Sequence, residues 1–235
     1  MDVESLFSGM GAEFRLPYKD LQKRLRSIRA LLFDWDGIFN NGEKGSMPST
    51  FSEIDSMGIN MLRYGYFLLK ETIPFTAIVT GETNPTAFNW ARREHLDYVF
   101  FQVKHKADMV GFLREHHGIA PEEVLFVYDD ILDLSLAEKT GLRFLVPNRA
   151  SPMFLQYCRN KGLCDYICSR PGADHAVREI SEVALGGLGV FEETVEKRAG
   201  YHPSYEEYYR LRNQKTTSLL QSVNRGFEPR AFPDN

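Results

Sequence analysis

From residue 28 to about residue 186, short and almost purely apolar runs alternate with longer amphipathic stretches. The runs Ala30–Phe33, Phe75–Val79, Tyr98–Phe101, Val124–Tyr128, Arg143–Val146 and Tyr166–Cys168 are predicted as strands. Between them the spacing predicts helices over Gly58–Lys70, Pro85–His95, Ala107–His116, Leu132–Lys139, Pro152–Asn160 and Asp174–Ala184. Asn84-Pro85 reads as an N-cap followed by a proline in the first turn, and Gly141 follows the fourth helix as a terminating glycine. Strands without polar alternation are buried on both faces. Joined through helices, they predict an α/β fold: a three-layer, Rossmann-like parallel sheet with helices on both faces.

Sheets of this kind bind ligands beyond the carboxyl ends of their strands. The residues found there are Asp34 and Asp36, then Thr80-Gly81, then Lys104 and Lys106, then Asp129-Asp130. Residues i and i+2 leaving a strand point the same way, so Asp34 and Asp36 can address one ligand. Two carboxylates so close repel unless a cation lies between them. Mg²⁺, which takes a few carboxylates plus water and phosphate, resolves the conflict, with Asp129 and Asp130 adding negative charge. Thr80 and the Gly81 N–H offer neutral hydrogen bonds to an anion, and Lys106 offers a positive charge. A carboxylate nucleophile, backbone donors, an amine and a metal are the parts that phosphoryl transfer needs.

Composition narrows the field. Lys+Arg 28 against Asp+Glu 32 leaves a net charge of -4, which gives no general attraction to nucleic acid or to an anionic membrane. No apolar window approaches a membrane span, and the acidic opening "MDVESLFSGM" does not read as a signal peptide, so a cytoplasmic protein is expected. Cys158, Cys164 and Cys168 lack a histidine partner at zinc-like spacing and read as reduced thiols. Residues 1–27, with the basic amphipathic "YKDLQKRLRSIR", are expected as a helical extension. Residues 187–235 are expected as a helical, tyrosine-rich one, set off by "GGLG" read as a flexible break.

"FDWDG", "IVTG", a lysine and "DDILD", in that order, resemble the haloacid dehalogenase-like superfamily of phosphotransferases. More narrowly they resemble the 3-deoxy-octulosonate 8-phosphate phosphatase group, relatives of which include a domain fused to acylneuraminate cytidylyltransferases. "FSEIDSMGINML", through Asp55, Gly58 and Ile59, and "GADHAVREI", through Ala176, Val177, Arg178 and Glu179, are similar to two further signatures of that group. The resemblance covers roughly residues 28–186. It implies that Asp34 is the nucleophile taking up the phosphoryl group. Asp36 would act as acid and base, its backbone carbonyl touching the metal. Thr80 and Lys106 would hold phosphoryl oxygens, Lys106 being preferred over Lys104 by spacing. Asp129 would ligate Mg²⁺ together with Asp34 and Asp36. Asp130 would support the metal or Lys106, and Asp133 would serve as an N-cap or lysine partner. Asp55, Glu82, His175 and Arg178 are candidate substrate contacts. The group forms tetramers completed by flaps of neighbouring subunits, which implies a homo-oligomer.

Several positions depart from the group. Tyr128 stands where a small glycine is usual, and its ring is expected either to narrow the pocket or to turn outward. Glu82 and Asp174 replace two cations that hold a sugar acid's carboxylate, with Arg92 or Arg149 as possible substitutes. The segment from Gly37 to Asp55 has room for a short flap and not for a cap domain. The expected activity is Mg²⁺-dependent hydrolysis of a small phosphomonoester, a sugar phosphate among the candidates. The alternatives are a non-catalytic oligomerisation or binding domain, a phosphatase of macromolecular substrates, and a receiver-like phospho-acceptor. The last is disfavoured because the paired acids come late in the chain.

Overall fold

The computed structural model describes residues 2–43 and 50–233. Its strands are β1 (Glu13–Phe14), β2 (Ala30–Phe33), β3 (Phe75–Val79), β4 (Tyr98–Phe101), β5 (Val124–Tyr128), β6 (Leu142–Leu145), β7 (Tyr166–Ile167), β8 (Ser218–Val223) and β9 (Gly226–Arg230). Its helices are α1 (Val3–Gly9), α2 (Tyr18–Ser27), α3 (Glu53–Lys70), α4 (Pro85–Arg93), α5 (Asp108–His117), α6 (Leu134–Ala137), α7 (Pro152–Lys161), α8 (Ala176–Leu188), α9 (Phe191–Ala199) and α10 (Pro203–Asn213). The strands form a single sheet in the order β1-β7-β6-β5-β2-β3-β4-β8-β9, parallel except at its antiparallel edge pairs, β1 with β7 and β8 with β9.

The six strands β2 to β7 lie where the apolar runs predict them, to within a residue or two. Side chains alternate across β2. Leu31 and Phe33 face one core with residues from α1–α4 and α8–α10, while Ala30 and Leu32 face the other with residues from α5, α6 and α7. From β2 the chain moves outward through β3 and β4, then returns to place β5 on the other side of β2. The crevice between the ends of β2 and β5 is thus the topological switch point, where such sheets keep their ligands.

The helices differ more. Ser52 caps α3 by accepting the Ile54 N–H at 3.0 Å, so that helix starts at Glu53 rather than at Gly58. The helix expected over Leu132–Lys139 is a 3₁₀ turn, Ile131–Asp133, followed by the short α6. "GGLG" is not a break. The helix α8 runs through Gly186 and Gly187 to Leu188, and Gly189 at φ 78 ends it. A Cβ on Gly186 would lie 2.7 Å from Val3, and one on Gly187 2.6 Å from Leu25, so the missing side chains are what let α1 and α2 pack there.

Both terminal segments contribute strands that the sequence reading did not anticipate: β1 pairs with β7, and β8 extends the sheet parallel to β4. Two tyrosines of α10 turn inward, Tyr205 and Tyr208 packing on Tyr64 of α3 and the Tyr208 hydroxyl donating to the Asn60 carbonyl at 3.0 Å, while Tyr209 is exposed. Among the described residues, no cap domain follows β2 and α4 alone joins β3 to β4; residues 44–49 of the expected flap lie outside the described residues. No helix of the described residues is long and apolar enough to cross a membrane.

Candidate active site

The D-x-D motif divides its side chains. Trp35 is fully buried, stacked on Phe39 at 4.7 Å and close to Trp90, while Asp34 and Asp36 project from the opposite side of the backbone. Asp34 leaves β2 with its N–H donated to the Val127 carbonyl at 3.0 Å, which fixes its height beside β5. Asn84 accepts the Thr86 and Ala87 N–H groups through Oδ1, capping α4, and its amide nitrogen lies 3.5 Å from Asp36. The sequence reading takes Asn84 only as a cap; its second task of orienting Asp36 needs the fold to be seen.

Lys106 reaches the site because Gln102, at φ 56, turns the chain after β4, and the Val103 N–H donates to the Thr80 carbonyl at 3.0 Å. Its side chain is 3% exposed, and the ammonium lies 2.8 Å from Asp34 and hydrogen-bonds Asp133. Lys104 is exposed and pairs with Glu82 at 2.9 Å. Thr80 is buried, and its Oγ accepts the Glu82 N–H at 3.3 Å, leaving its own proton to be offered elsewhere.

Asp133 accepts N–H groups from Asp129 and Asp130 at 3.4 and 3.2 Å while binding Lys106, so it both shapes the acid loop and holds the lysine. Asp130 is exposed, and the acid that supports Lys106 is Asp133. Asp130 sits on the solvent side of the 3₁₀ turn, which turns Asp133 inward instead.

Among the described residues, Asp34, Asp129 and Asp133 bring carboxylate oxygens within 4.8 Å of one another. Three acids share one ammonium, and the surplus negative charge shows in their titration. Burial, and then the neighbouring acids, push Asp129 up to about 9. Burial raises Asp34 to about 7 against the pull of Lys106. Burial pulls the Lys106 ammonium down, but the charges of Asp133 and Asp34 outweigh it and raise its pKa. A hard divalent cation among these oxygens would reverse the acids' preference for the neutral form. With Asp133 committed to Lys106, the carboxylates left to such a cation are Asp34 and Asp129, and the donor set fits Mg²⁺.

The candidate substrate contacts scatter. Glu82 is paired with Lys104, and Arg178 forms a 2.7 Å pair with Glu182 one turn along α8. His175 stands at φ 65 at the start of α8, its Nδ1 3.6 Å from Asp55. Asp55 is almost inaccessible, and burial raises its pKa although it accepts the Arg178 N–H at 2.9 Å. Asp174 pairs with Arg170, Arg92 lies over the Phe232 ring, and Arg149 is exposed.

Tyr128 neither narrows the pocket nor turns outward. Its ring is wholly buried, stacked on Phe126, and its hydroxyl donates to the Leu163 carbonyl at 2.7 Å. Tyr128→Phe should therefore cost about 1–2 kcal/mol of stability by leaving that carbonyl unpaired. It should not change KM for a phosphate ester, as denaturant melts and steady-state kinetics on the same preparation will show. Cys158, Cys164 and Cys168 are free and buried.

No family model matches the chain. It is 27% identical over 179 residues to the 3-deoxy-D-manno-octulosonate 8-phosphate phosphatase KdsC of Escherichia coli (strain B / BL21-DE3), covering 74% of this chain and 88% of that relative. Among solved structures, the 3-deoxy-D-manno-octulosonate 8-phosphate phosphatase of Moraxella catarrhalis, in complex with magnesium ion, phosphate ion and a KDO molecule, superposes with a TM-score of 0.64. It is 22% identical and covers 77% of this chain and 98% of its own. A probable YrbI family phosphatase of Pseudomonas syringae pv. phaseolica gives 0.64 at 25% identity with the same coverage. With Asp34, Lys106 and Asp129 brought together at the strand ends, the chain is similar in sequence and in fold to the 3-deoxy-D-manno-octulosonate 8-phosphate phosphatases.

Proposed function

We propose that the chain is a Mg²⁺-dependent phosphomonoesterase that hydrolyses a small, sugar-like phosphate ester by transient phosphorylation of Asp34. The observation that carries this reading is the buried contact of Lys106 with Asp34, beside Asp129, at the switch point of the sheet. Asp34 and Asp129 would hold the metal, with the backbone carbonyl of Asp36 as a third donor. The ion, when bound, neutralises phosphoryl charge and the repulsion between the carboxylates.

Asp34 attacks phosphorus, and its Oδ–P bond forms as the ester oxygen leaves. Asp36 gives that oxygen its proton, then removes one from the water that cleaves the acyl phosphate. Lys106 and the Thr80 hydroxyl hold the phosphoryl oxygens as charge moves among them, and Asp133 keeps the lysine from swinging away. Asn84 holds Asp36 facing the site. Glu82, paired with Lys104, and Asp174, paired with Arg170, stand where the resembled sugar-acid phosphatases carry cations, so neither position offers a cation to a substrate carboxylate. This favours a substrate whose distal part is uncharged or cationic, and a panel of phosphorylated sugars, amino sugars and sugar acids will rank them. Self-association through the flap remains part of the reading and is open to scattering measurements.

Mg²⁺ binding should be visible without substrate. At about 100 times its dissociation constant a ligand of the native state adds about 2.7 kcal/mol, roughly 5–10 °C in melting temperature for a chain of this size. Purified protein should show that shift with Mg²⁺ and hydrolyse an aryl phosphate only in its presence. Turnover that persists undiminished in excess chelator would refute the reading.

A further inference from the structure

Asp55 lies on α3 with 1% of its surface accessible, at the floor of a cavity lined also by Phe39, Asn40, Gly172 and His175. Its carboxylate meets the start of α8. That helix begins from His175 in the left-handed region, with no side-chain cap of its own. The N–H of Arg178, the third residue of the helix, is donated to Asp55 at 2.9 Å. Asp55 thus shares that N–H with the His175 carbonyl, which accepts it at 3.1 Å, and does from a distant helix what an N-cap side chain does locally. One turn further, a Cβ on Gly58 would lie 3.1 Å from the Arg178 Cα, so α3 and α8 approach closely where the cap forms.

The loop before α8 is held at its other end by Glu179. This buried carboxylate accepts the Ser169 N–H at 2.8 Å, the Ser169 hydroxyl at 2.6 Å and the Tyr166 hydroxyl at 2.5 Å. Between the two anchors lies Gly172. A Cβ there would fall 2.0 Å from the Gly37 carbonyl oxygen and 2.7 Å from that of Asn40, so the loop rests directly on the backbone of the nucleophile turn. Gly37, at φ 81, in turn rests on Asp129, and a Cβ on it would fall 2.0 Å from Oδ2. Backbone touches backbone and then carboxylate, with no flexible side chain between to absorb a displacement.

Resting on the reading of Asp129 as a metal carboxylate, we propose that Asp55 is a positioning residue for the metal centre. By capping α8 it seats Gly172 on the Gly37 turn, and that turn holds Asp129 in the orientation that receives the cation.

The test measures Mn²⁺ binding by electron paramagnetic resonance in the full chain without substrate, alongside thermal melts and kinetics at saturating metal. Asp55→Ala is expected to weaken Mn²⁺ binding by about tenfold or more, the usual effect of losing a group that orients a ligand, with KM for an aryl phosphate unchanged. Asp55→Asn keeps an oxygen for the Arg178 N–H and is expected to bind Mn²⁺ within about threefold of the wild type. Gly172→Ala, which acts further along the relay, is expected to reproduce the Asp55→Ala loss. If Asp55→Ala does not fold, the contrast between Asp55→Asn and Gly172→Ala carries the test. Wild-type affinity in Asp55→Ala or in Gly172→Ala overturns the proposal, and so does a raised KM with metal affinity intact. A tenfold loss in Asp55→Asn overturns it too, since the carboxylate charge would then matter rather than the cap. A wild-type chain that binds no Mn²⁺ refutes the phosphatase reading itself, which separates that failure from failure of the relay.

Discussion

Asp34→Asn will reduce Mg²⁺-dependent hydrolysis of an aryl phosphate by at least about 10⁴-fold, the scale on which losing a covalent nucleophile is felt. The amide is nearly the same size, keeps the backbone bond to Val127 and still faces Lys106, so the protein should fold. What disappears is the anionic oxygen to which the proposed mechanism gives the bond to phosphorus. The same substitution removes one acid from a cluster in which three share one ammonium. The metal-free variant should therefore be as stable as the wild type or slightly more so. Lost turnover without lost stability identifies a reacting group, whereas residual activity within about tenfold of wild type would remove Asp34 from that role. Beryllium trifluoride, which mimics a phosphoryl group on a carboxylate, should protect the wild type against heat and leave Asp34→Asn unaffected.

Lys106→Met will show the opposite pairing, losing activity and stability together. Its ammonium is the partner of two buried carboxylates, and breaking a buried pair on one side costs about 3–5 kcal/mol. In a chain of this size that is a fall of about 10 °C in melting temperature. Turnover should drop by about 10²–10³-fold as an oriented charge on the phosphoryl oxygens is lost. The sign with pH follows from the acids. Asp34 already titrates high, at about 7, and without the lysine it rises further. An acid with a raised folded-state pKa destabilises the fold increasingly as pH climbs above its unfolded value. The deficit of Lys106→Met relative to wild type should accordingly shrink at pH 5 and widen at pH 8, and a deficit independent of pH would contradict the ion-pair account. Lys104→Met, at an exposed pair with Glu82, should change turnover by less than about twofold, in keeping with the small worth of surface pairs.

The parts of this fold that could be read in advance are those dictated by local pattern. Ala30–Phe33 and Val124–Tyr128 are apolar without alternation, which only a strand covered on both faces tolerates. Their ends then had to carry the polar residues. The positions of Asp34, Thr80, Lys106 and Asp129 follow from that logic, with Lys106 buried and Lys104 exposed.

What could not be read depends on partners remote in sequence. β1 is two residues long, and β9 is mostly exposed and contains a proline, so neither carries a strand signal without the neighbour it pairs with. The hairpin between β8 and β9 turns through Asn224 and Arg225, both at positive φ, without the glycine that usually announces such a turn. Asp133 and Asp130 are equivalent acids on paper, and only the 3₁₀ turn decides which faces Lys106. Asp55 caps a helix more than a hundred residues away, and a cap of that kind has no local signature. Tyr128 reads as an intrusion into the pocket because its place in the motif usually belongs to a small residue, yet its direction is set by the carbonyl of Leu163, which the motif does not include.

The placement of β8 against β4 bears on how the molecule is handled. Had the chain stopped near residue 186, β4 would present a bare hydrogen-bonding rim flanked by Val99 and Phe101, a template for foreign strands. The terminal hairpin shields that rim and ends in Arg230, beside Glu228, a charged border that discourages further growth of the sheet. Trimming the polypeptide to its recognisable catalytic portion would therefore yield an adhesive fragment rather than a minimal enzyme.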